Sequence, residues 1–380
     1  SLEAKPGAPF GEGVASALER FLEIAGELGF ETKNYAGYAG EVNVGKGDYI
    51  IGVLCHIDVV EGGRGWDSDP FRPFIRDNKV YGRGSSDNKG PMLTALYAVK
   101  RLQDDGKIPG DVTIRMVIGT NEEESWEDMK YYLGKAERLP DVSIVPDGCF
   151  PLIYSEKGLY DFDLSRDFSG NDTADVRIEE ISGGDARNVV PAEATCTLET
   201  DRPIATILEN AIAEKGYDGV VRSEGHRVAV TIKGRSCHAM NPEKGANAVS
   251  QLLDVLSACC RQAFVTEYNR LIGTTYNGER CGCGFEDENS GKLTFNVGTI
   301  SIADGKIRMN ANIRYPASMD FETVEGALKQ AMETGGFQVE FVDHLFPVCF
   351  DKDARLVRLL MKAYREVSGD SETEPLAIGG

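Results

Sequence analysis

Four short polar clusters carry the residue types that hydrolytic chemistry needs. His56-Ile57-Asp58 sets an imidazole two residues before a carboxylate. Asp87 lies in the run Gly82-Arg83-Gly84-Ser85-Ser86-Asp87-Asn88-Lys89-Gly90. Glu122-Glu123-Glu124 places three carboxylates side by side, and Asp147 sits in Pro146-Asp147-Gly148. One imidazole with several carboxylates suits a divalent metal, zinc above all, whose nitrogen and oxygen ligands lie at about 2.0–2.2 Å. Two ions sharing a bridging carboxylate would stand about 3.5–4 Å apart and could clamp a hydrolytic water. Asp58 could accept a hydrogen bond from the second ring nitrogen of His56 and so fix its tautomer. Adjacent acids allow a division of labour, one binding metal and the other taking a proton from metal-bound water.

Each cluster also has a plainer reading. A single histidine after a strand is commonly a hydrogen-bonded structural residue. A glutamate triplet before a helix is favoured by the helix dipole alone. Asp87 could cap the helix that opens near Gly90, and Pro-Asp-Gly is a common turn. The glycine-rich run is no phosphate loop, because no Gly-Lys-Ser/Thr follows. What favours chemistry is that all four clusters fall just beyond elements of one block.

Those elements follow from the hydrophobic pattern. Val14, Leu18, Leu22, Ala25 and Leu28 recur at helical spacing and predict a helix over 12–29. Apolar runs predict buried strands at 49–55, 111–119 and 142–145, with helices at 90–104 and 126–134 between them. This alternation predicts an α/β fold with a mostly parallel sheet, in which sites form outside the carboxyl ends of the strands. After about residue 157 the plan changes. Alternating segments at 158–164, 193–199 and 226–233 and a long helix at 243–264 come first. Two strands at 293–302 and 306–315, joined by Ala303-Asp304-Gly305, follow, then a helix at 321–334 and a strand at 337–343. A helix returns at 353–367. The expected organisation is a parallel-sheet catalytic domain over 1–157 and 346–380, interrupted by an α+β lid domain over 158–345.

The chain has 380 residues, 61 acidic against 41 basic, for a formal charge of −20. That balance excludes a phosphate-tracking nucleic-acid binder. Nine cysteines, an odd and scattered set, do not form a disulfide framework and point to reduced thiols in the cytoplasm. Cys281 and Cys283, one residue apart, are too close for the usual zinc clip. No apolar run approaches the ~20 residues of a membrane span, and the first residues carry no signal-peptide pattern. Asn171-Asp172-Thr173 is a glycosylation sequon only for a secreted chain. The sequence does not open with Met, so a preceding segment is expected.

Longer stretches carry a resemblance. Cys55–Val60, Gly65-Trp66-Asp67-Ser68-Asp69-Pro70-Phe71, Tyr81–Gly90 and Gly119–Glu124 resemble the di-zinc metallopeptidase family of carboxypeptidase G, the aminoacylases and bacterial dipeptidase V. Asn188-Val189-Val190-Pro191, Gly234–Ala239, Asn312-Ile313-Arg314-Tyr315-Pro316 and Ala377–Gly380 are most similar to the dipeptidase V branch. The resemblance implies a zinc dipeptidase acting on small unblocked peptides, as monomer or dimer. It implies that His56, Asp87 and Asp147 bind one zinc, and that Asp87 bridges to a second zinc held also by Glu123. Glu122 would be the general base and Asp58 the acid that orients His56. His238 would stabilise the oxyanion with Asn188 beside it, and Arg314 would clamp the substrate carboxylate. The family's second zinc takes a further histidine beyond the Gly-Gly segment, where this sequence ends; His226 and His344 are expected to be surface or packing residues. The same scaffold would also suit an amidohydrolase of N-acyl amino acids, or a non-catalytic binding protein.

Overall fold

A computed structural model describes residues 3–63, 65–168 and 175–379; the sequon at 171–173 lies outside them. The fold is mixed α/β, and the chain divides into two compact units, Ser1–Cys149 and Phe150–Gly380.

The first unit is built on five strands in the spatial order Glu31–Tyr35, Ala39–Gly45, Val112–Gly119, Tyr49–His56, Val142–Ile144. The last two pairings are parallel and the first two antiparallel. The sheet is therefore mixed where the sequence predicts mostly parallel strands. The difference is the hairpin 31–45, whose first strand buries only Tyr35 and carries no apolar alternation to read. Gly37 closes that hairpin at φ +80, and a Cβ there would stand 2.2 Å from the Gly7 carbonyl oxygen, so only glycine fits.

Strands Tyr49–His56 and Val112–Gly119 are covered on both faces, one of them by Met129 and Tyr132 of helix Glu127–Lys135 around Leu54 and Val117, which is why they read as continuous apolar runs. Leu18, Phe21 and Leu22 of helix Glu12–Glu27 and Met92, Leu96 and Val99 of helix Lys89–Asp104 pack on Val53, Cys55, Ile114, Met116 and Ile118. Each such buried side chain is worth about 1.5–3 kcal/mol. This packing fixes the strand ends from which the polar clusters emerge.

The second unit carries an eight-stranded, wholly antiparallel sheet. Its order is Asp218–Glu224, Arg227–Lys233, Glu193–Glu199, Arg177–Gly183, Thr294–Ala303, Lys306–Tyr315, Gly158–Asp167, Gln338–Leu345. Along Lys306–Tyr315, Ile307, Met309, Ala311, Ile313 and Tyr315 enter the core. Asn310, Asn312 and Arg314 alternate to the other face. The Asp304-Gly305 turn has φ +51 and +71, the left-handed pair expected of Asp-Gly.

The helix expected over 243–264 is instead a short 3₁₀ turn, Pro242–Lys244, and two helices, Ala248–Leu256 and Ala263–Leu271. Asn247 is extended and caps the first by accepting the Ser250 N–H at 3.0 Å. The Ser257 hydroxyl donates to the Asp254 carbonyl at the far end, and Gln262 is extended before the second. The break lets both helices bury apolar faces in one core, joined by a 2.7 Å bond between the Ser250 and Tyr268 hydroxyls. Val348–Cys349 and Leu376–Ile378 flank Ile153–Glu156 in a small sheet, with helix Arg355–Ser368 between them in sequence. No helix among the described residues is long and apolar enough to cross a membrane.

Candidate metal centre

The cluster in the first unit is assembled by strand ends. His56 closes its strand, opposite Gly119 of the neighbouring parallel strand, and the Ile57 N–H donates to the Gly119 carbonyl at 2.9 Å. The imidazole is 2% exposed. Its Nδ1 lies 3.2 Å from Asp58 Oδ1. Its Nε2 faces three acids: Asp87 Oδ1 at 2.9 Å, Asp147 Oδ2 at 3.4 Å and Glu122 Oε2 at 3.9 Å. Two overlapping ligand groups result, His56 with Asp87 and Glu123, and His56 with Glu122 and Asp147. Within each, the donor atoms lie within 4.8 Å of one another.

Asp58 accepts the Glu123 N–H at 3.0 Å, so it touches both His56 and the turn that bears the glutamates. The third glutamate points elsewhere: Glu124 Oε2 accepts from Asn121 Nδ2 at 3.3 Å. The plainer reading of the triplet therefore suits Glu124, while Glu122 and Glu123 face the imidazole.

The carboxylates dominate the electrostatics of the cluster. Burial opposes protonation of His56, but the Asp58 hydrogen bond and the charges of Asp58, Glu122 and Asp147 overcome it and raise its pKa to about 9. Burial pushes the Glu122 carboxyl up to about 7; His56 opposes this, and the charges of Asp147, Glu123 and Asp58 reinforce it. Burial and Asp87 likewise raise Glu123. Asp58 moves down, because His56 and backbone N–H bonds outweigh its own burial. Four carboxylates crowd one imidazole, so the site favours added positive charge. An oxygen-rich set with one nitrogen fits a divalent ion of the zinc or manganese type.

Three further residues hold this geometry, and sequence reasoning missed them. Asp128 is 0% exposed; its Oδ2 accepts the N–H groups of Thr120 at 2.7 Å and Asn121 at 3.0 Å, and its Oδ1 that of Met129 at 2.7 Å. It thereby ties helix Glu127–Lys135 to the chain just before Glu122. Asn88, also fully buried, donates from Nδ2 to Asp147 Oδ1 at 2.7 Å and to the Pro146 carbonyl at 2.9 Å. Lys89 Nζ donates to the Ile57 carbonyl at 2.8 Å. The only sequence signal for Asp128 was an acid in the first turn of a helix. Asn88 and Lys89 lie inside the run Gly82–Gly90, where their types alone signal no role.

Asn188, His238 and Arg314 belong to the second unit. Val189 and His238 form an isolated antiparallel bridge, and the Ala239 N–H donates to the Asn188 carbonyl at 2.9 Å. His238 Nδ1 accepts the Met240 N–H at 3.2 Å, so its proton sits on Nε2. Burial first, then the charge of Arg314, lowers the pKa of that ring. Arg314 is 5% exposed; its Nε donates to Asn312 Oδ1 at 3.3 Å and its Nη1 to the Gly379 carbonyl at 3.1 Å. His226 is exposed beside Asp201, and His344 bonds the Tyr315 hydroxyl at 2.7 Å and stacks on Phe321. All nine cysteines are free thiols, Cys281 and Cys283 among the buried ones.

Comparisons with known proteins bear on this geometry. The profile described as "Peptidase family M20/M25/M40" matches residues 52–380. The chain is 36% identical over 383 residues to the Staphylococcus haemolyticus protein named "Putative dipeptidase SH1171", covering 98% of this chain and 81% of that protein. It is 35% identical over 386 residues to "Putative dipeptidase YtjP" of Bacillus subtilis, covering 99% and 82%. Among solved structures it resembles the M20 family metallo-carboxypeptidase Sso-CP2 of Sulfolobus solfataricus, with a TM-score of 0.54 at 18% identity over 99% of this chain and 83% of that one. That likeness is one of fold.

Proposed function

We propose that this chain, which belongs to peptidase family M20/M25/M40 and is a hydrolase acting on peptide bonds, is a zinc-dependent dipeptidase for short peptides with free termini. One observation carries the reading: His56, Asp87, Glu122, Glu123 and Asp147 converge as two ligand groups sharing one imidazole. When bound there, zinc would polarise the scissile carbonyl and make water a nucleophile near neutral pH.

The chain's own residues then have distinct tasks. His56, Asp87, Glu123 and Asp147 would hold the metal. Asp58 holds the His56 ring through Nδ1 and leaves Nε2 for the site. Glu122, raised by burial, is suited to take a proton from the attacking water and pass it to the leaving amine. We assign Asn188 and His238 to the oxyanion; the Nε2–H of His238 is a donor of the right kind. Arg314 is assigned to the substrate carboxylate, which its planar fork matches. Nine free thiols favour a reducing compartment, in keeping with the cytoplasm.

The test is hydrolysis of a panel of dipeptides by the purified, zinc-loaded protein. Cleavage of unblocked dipeptides supports the reading. A folded protein that cleaves none of them overturns it, and a preference for N-acyl amino acids would assign it to amidohydrolysis instead.

A further inference from the structure

We propose that Asn312 is the positioning residue for Arg314, and that Asp161 acts through it as a remote counter-charge, so that selection for a substrate carboxylate depends on the line Asp161–Asn312–Arg314. The inference rests on reading Arg314 as the group that meets that carboxylate.

The register builds the line. Asn312 stands directly opposite Asp161 on the adjacent strand Gly158–Asp167, and Arg314 follows two residues along the same face. Asn312 Oδ1 accepts from Arg314 Nε at 3.3 Å, and Asn312 Nδ2 donates to Asp161 Oδ1. Asn312 and Arg314 are 2% and 5% exposed. A guanidinium buried this deeply needs a negative partner, and among the charges that act on it are those of Asp161 and Glu156, which oppose the effect of burial. A carboxylate placed directly against Arg314 would engage its terminal nitrogens as a bidentate pair. The intervening amide engages Nε alone, while its other end holds Asp161. Few side chains can do this, because the task needs an acceptor and a donor on one short planar group. Asp at 312 would repel Asp161, and Leu would leave both ends buried without a bond.

The experiment compares a dipeptide with its C-terminal amide. In Asn312→Ala, the KM for the dipeptide should rise about tenfold or more, the scale of one lost hydrogen bond to a charged group. Its kcat, and kcat/KM for the amide, should change less than threefold. In an Arg314→Ala background the same substitution should cost the dipeptide nothing further. Parallel losses for dipeptide and amide, or a further tenfold loss in that background, would overturn the proposal. Asn312→Ser provides a second variant should the alanine protein fail to fold, with the same expectation. Calorimetric binding of dipeptide and amide reports the same discrimination without turnover. A wild type that hydrolyses neither compound refutes the dipeptidase reading alone.

Discussion

Replacing Asp287 by Ala tests how the far end of strand Lys306–Tyr315 is secured. Asp287 Oδ1 accepts the Ser290 N–H at 2.5 Å and the Ser290 hydroxyl at 2.9 Å, and Oδ2 accepts the Ser318 N–H at 3.0 Å. It thus ties the turn at 287–290 to the chain just past Arg314 and Tyr315. Partial burial disfavours its charge, but the backbone and hydroxyl donors of Ser290 and Ser318 overcome this and hold the carboxyl at about 2, against 3.8. Linkage converts that gap to about 2.5 kcal/mol if undamped. Solvent reaches the carboxylate, so the retained value should be about 1 kcal/mol. The folded pKa is depressed, so this stability is present in full above pH 3.8 and is lost as pH falls toward 2. Urea unfolding of the wild type and of Asp287→Ala should differ by about 1 kcal/mol at pH 7 and by about half of that near pH 3. A difference unchanged between the two pH values would refute the charge-based account, and no difference at pH 7 would refute the anchoring role.

The remaining expectations concern the metal cluster. Glu122→Gln should keep fold and zinc content but lose about 10²–10⁴-fold in kcat; a wild-type kcat would remove Glu122 as the base. Asp128→Ala strands two buried N–H groups, Thr120 and Asn121, and should cost about 2–4 kcal/mol in urea unfolding. A loss below about 1 kcal/mol would show that the turn holds itself. Stripping zinc with a chelator should lower the melting temperature, because carboxylates are left to repel one another. Zinc restored at about 100 times its Kd should return about 2.7 kcal/mol, and a melting curve indifferent to zinc would argue against a metal at His56.

Much of the fold was legible because burial leaves a periodic trace. The strands at 49–56 and 112–119 show as apolar runs, and Glu193–Glu199 and Phe321–Thr334 match their predicted limits. Strand Glu31–Tyr35 left no trace, since four of its five residues are exposed, and its hairpin is what makes the first sheet mixed. The helix expected over 243–264 failed for the opposite reason: apolar residues continue through both helices and the link between them, and so hide the Asn247 cap and the break before Ala263. The acids around His56 were legible because each leaves the end of a strand or, for Asp87, stands just before a helix. Asp128, Asn88 and Asn312 were not, because their work is to bond specific backbone or side-chain atoms, and those partners exist only once the register is set.

That register explains why the cluster forms where it does. His56 pairs with Gly119, so the chains leaving the two parallel strands run out side by side, one into Asp58 and the other into Glu122 and Glu123. Ile51–Val53 pairs with Val142–Ile144 on the opposite flank, which sends the third chain toward Asp147. Slipping any one strand by a residue would move its acid by about 3.3 Å and turn the strand's side chains to the other face. Metal ligation tolerates only about 0.2 Å. The packing of Met92 and Leu96 against Val53, Cys55 and Met116 therefore has a chemical role as well as a stabilising one: it holds the strands in the register that brings the carboxylates together.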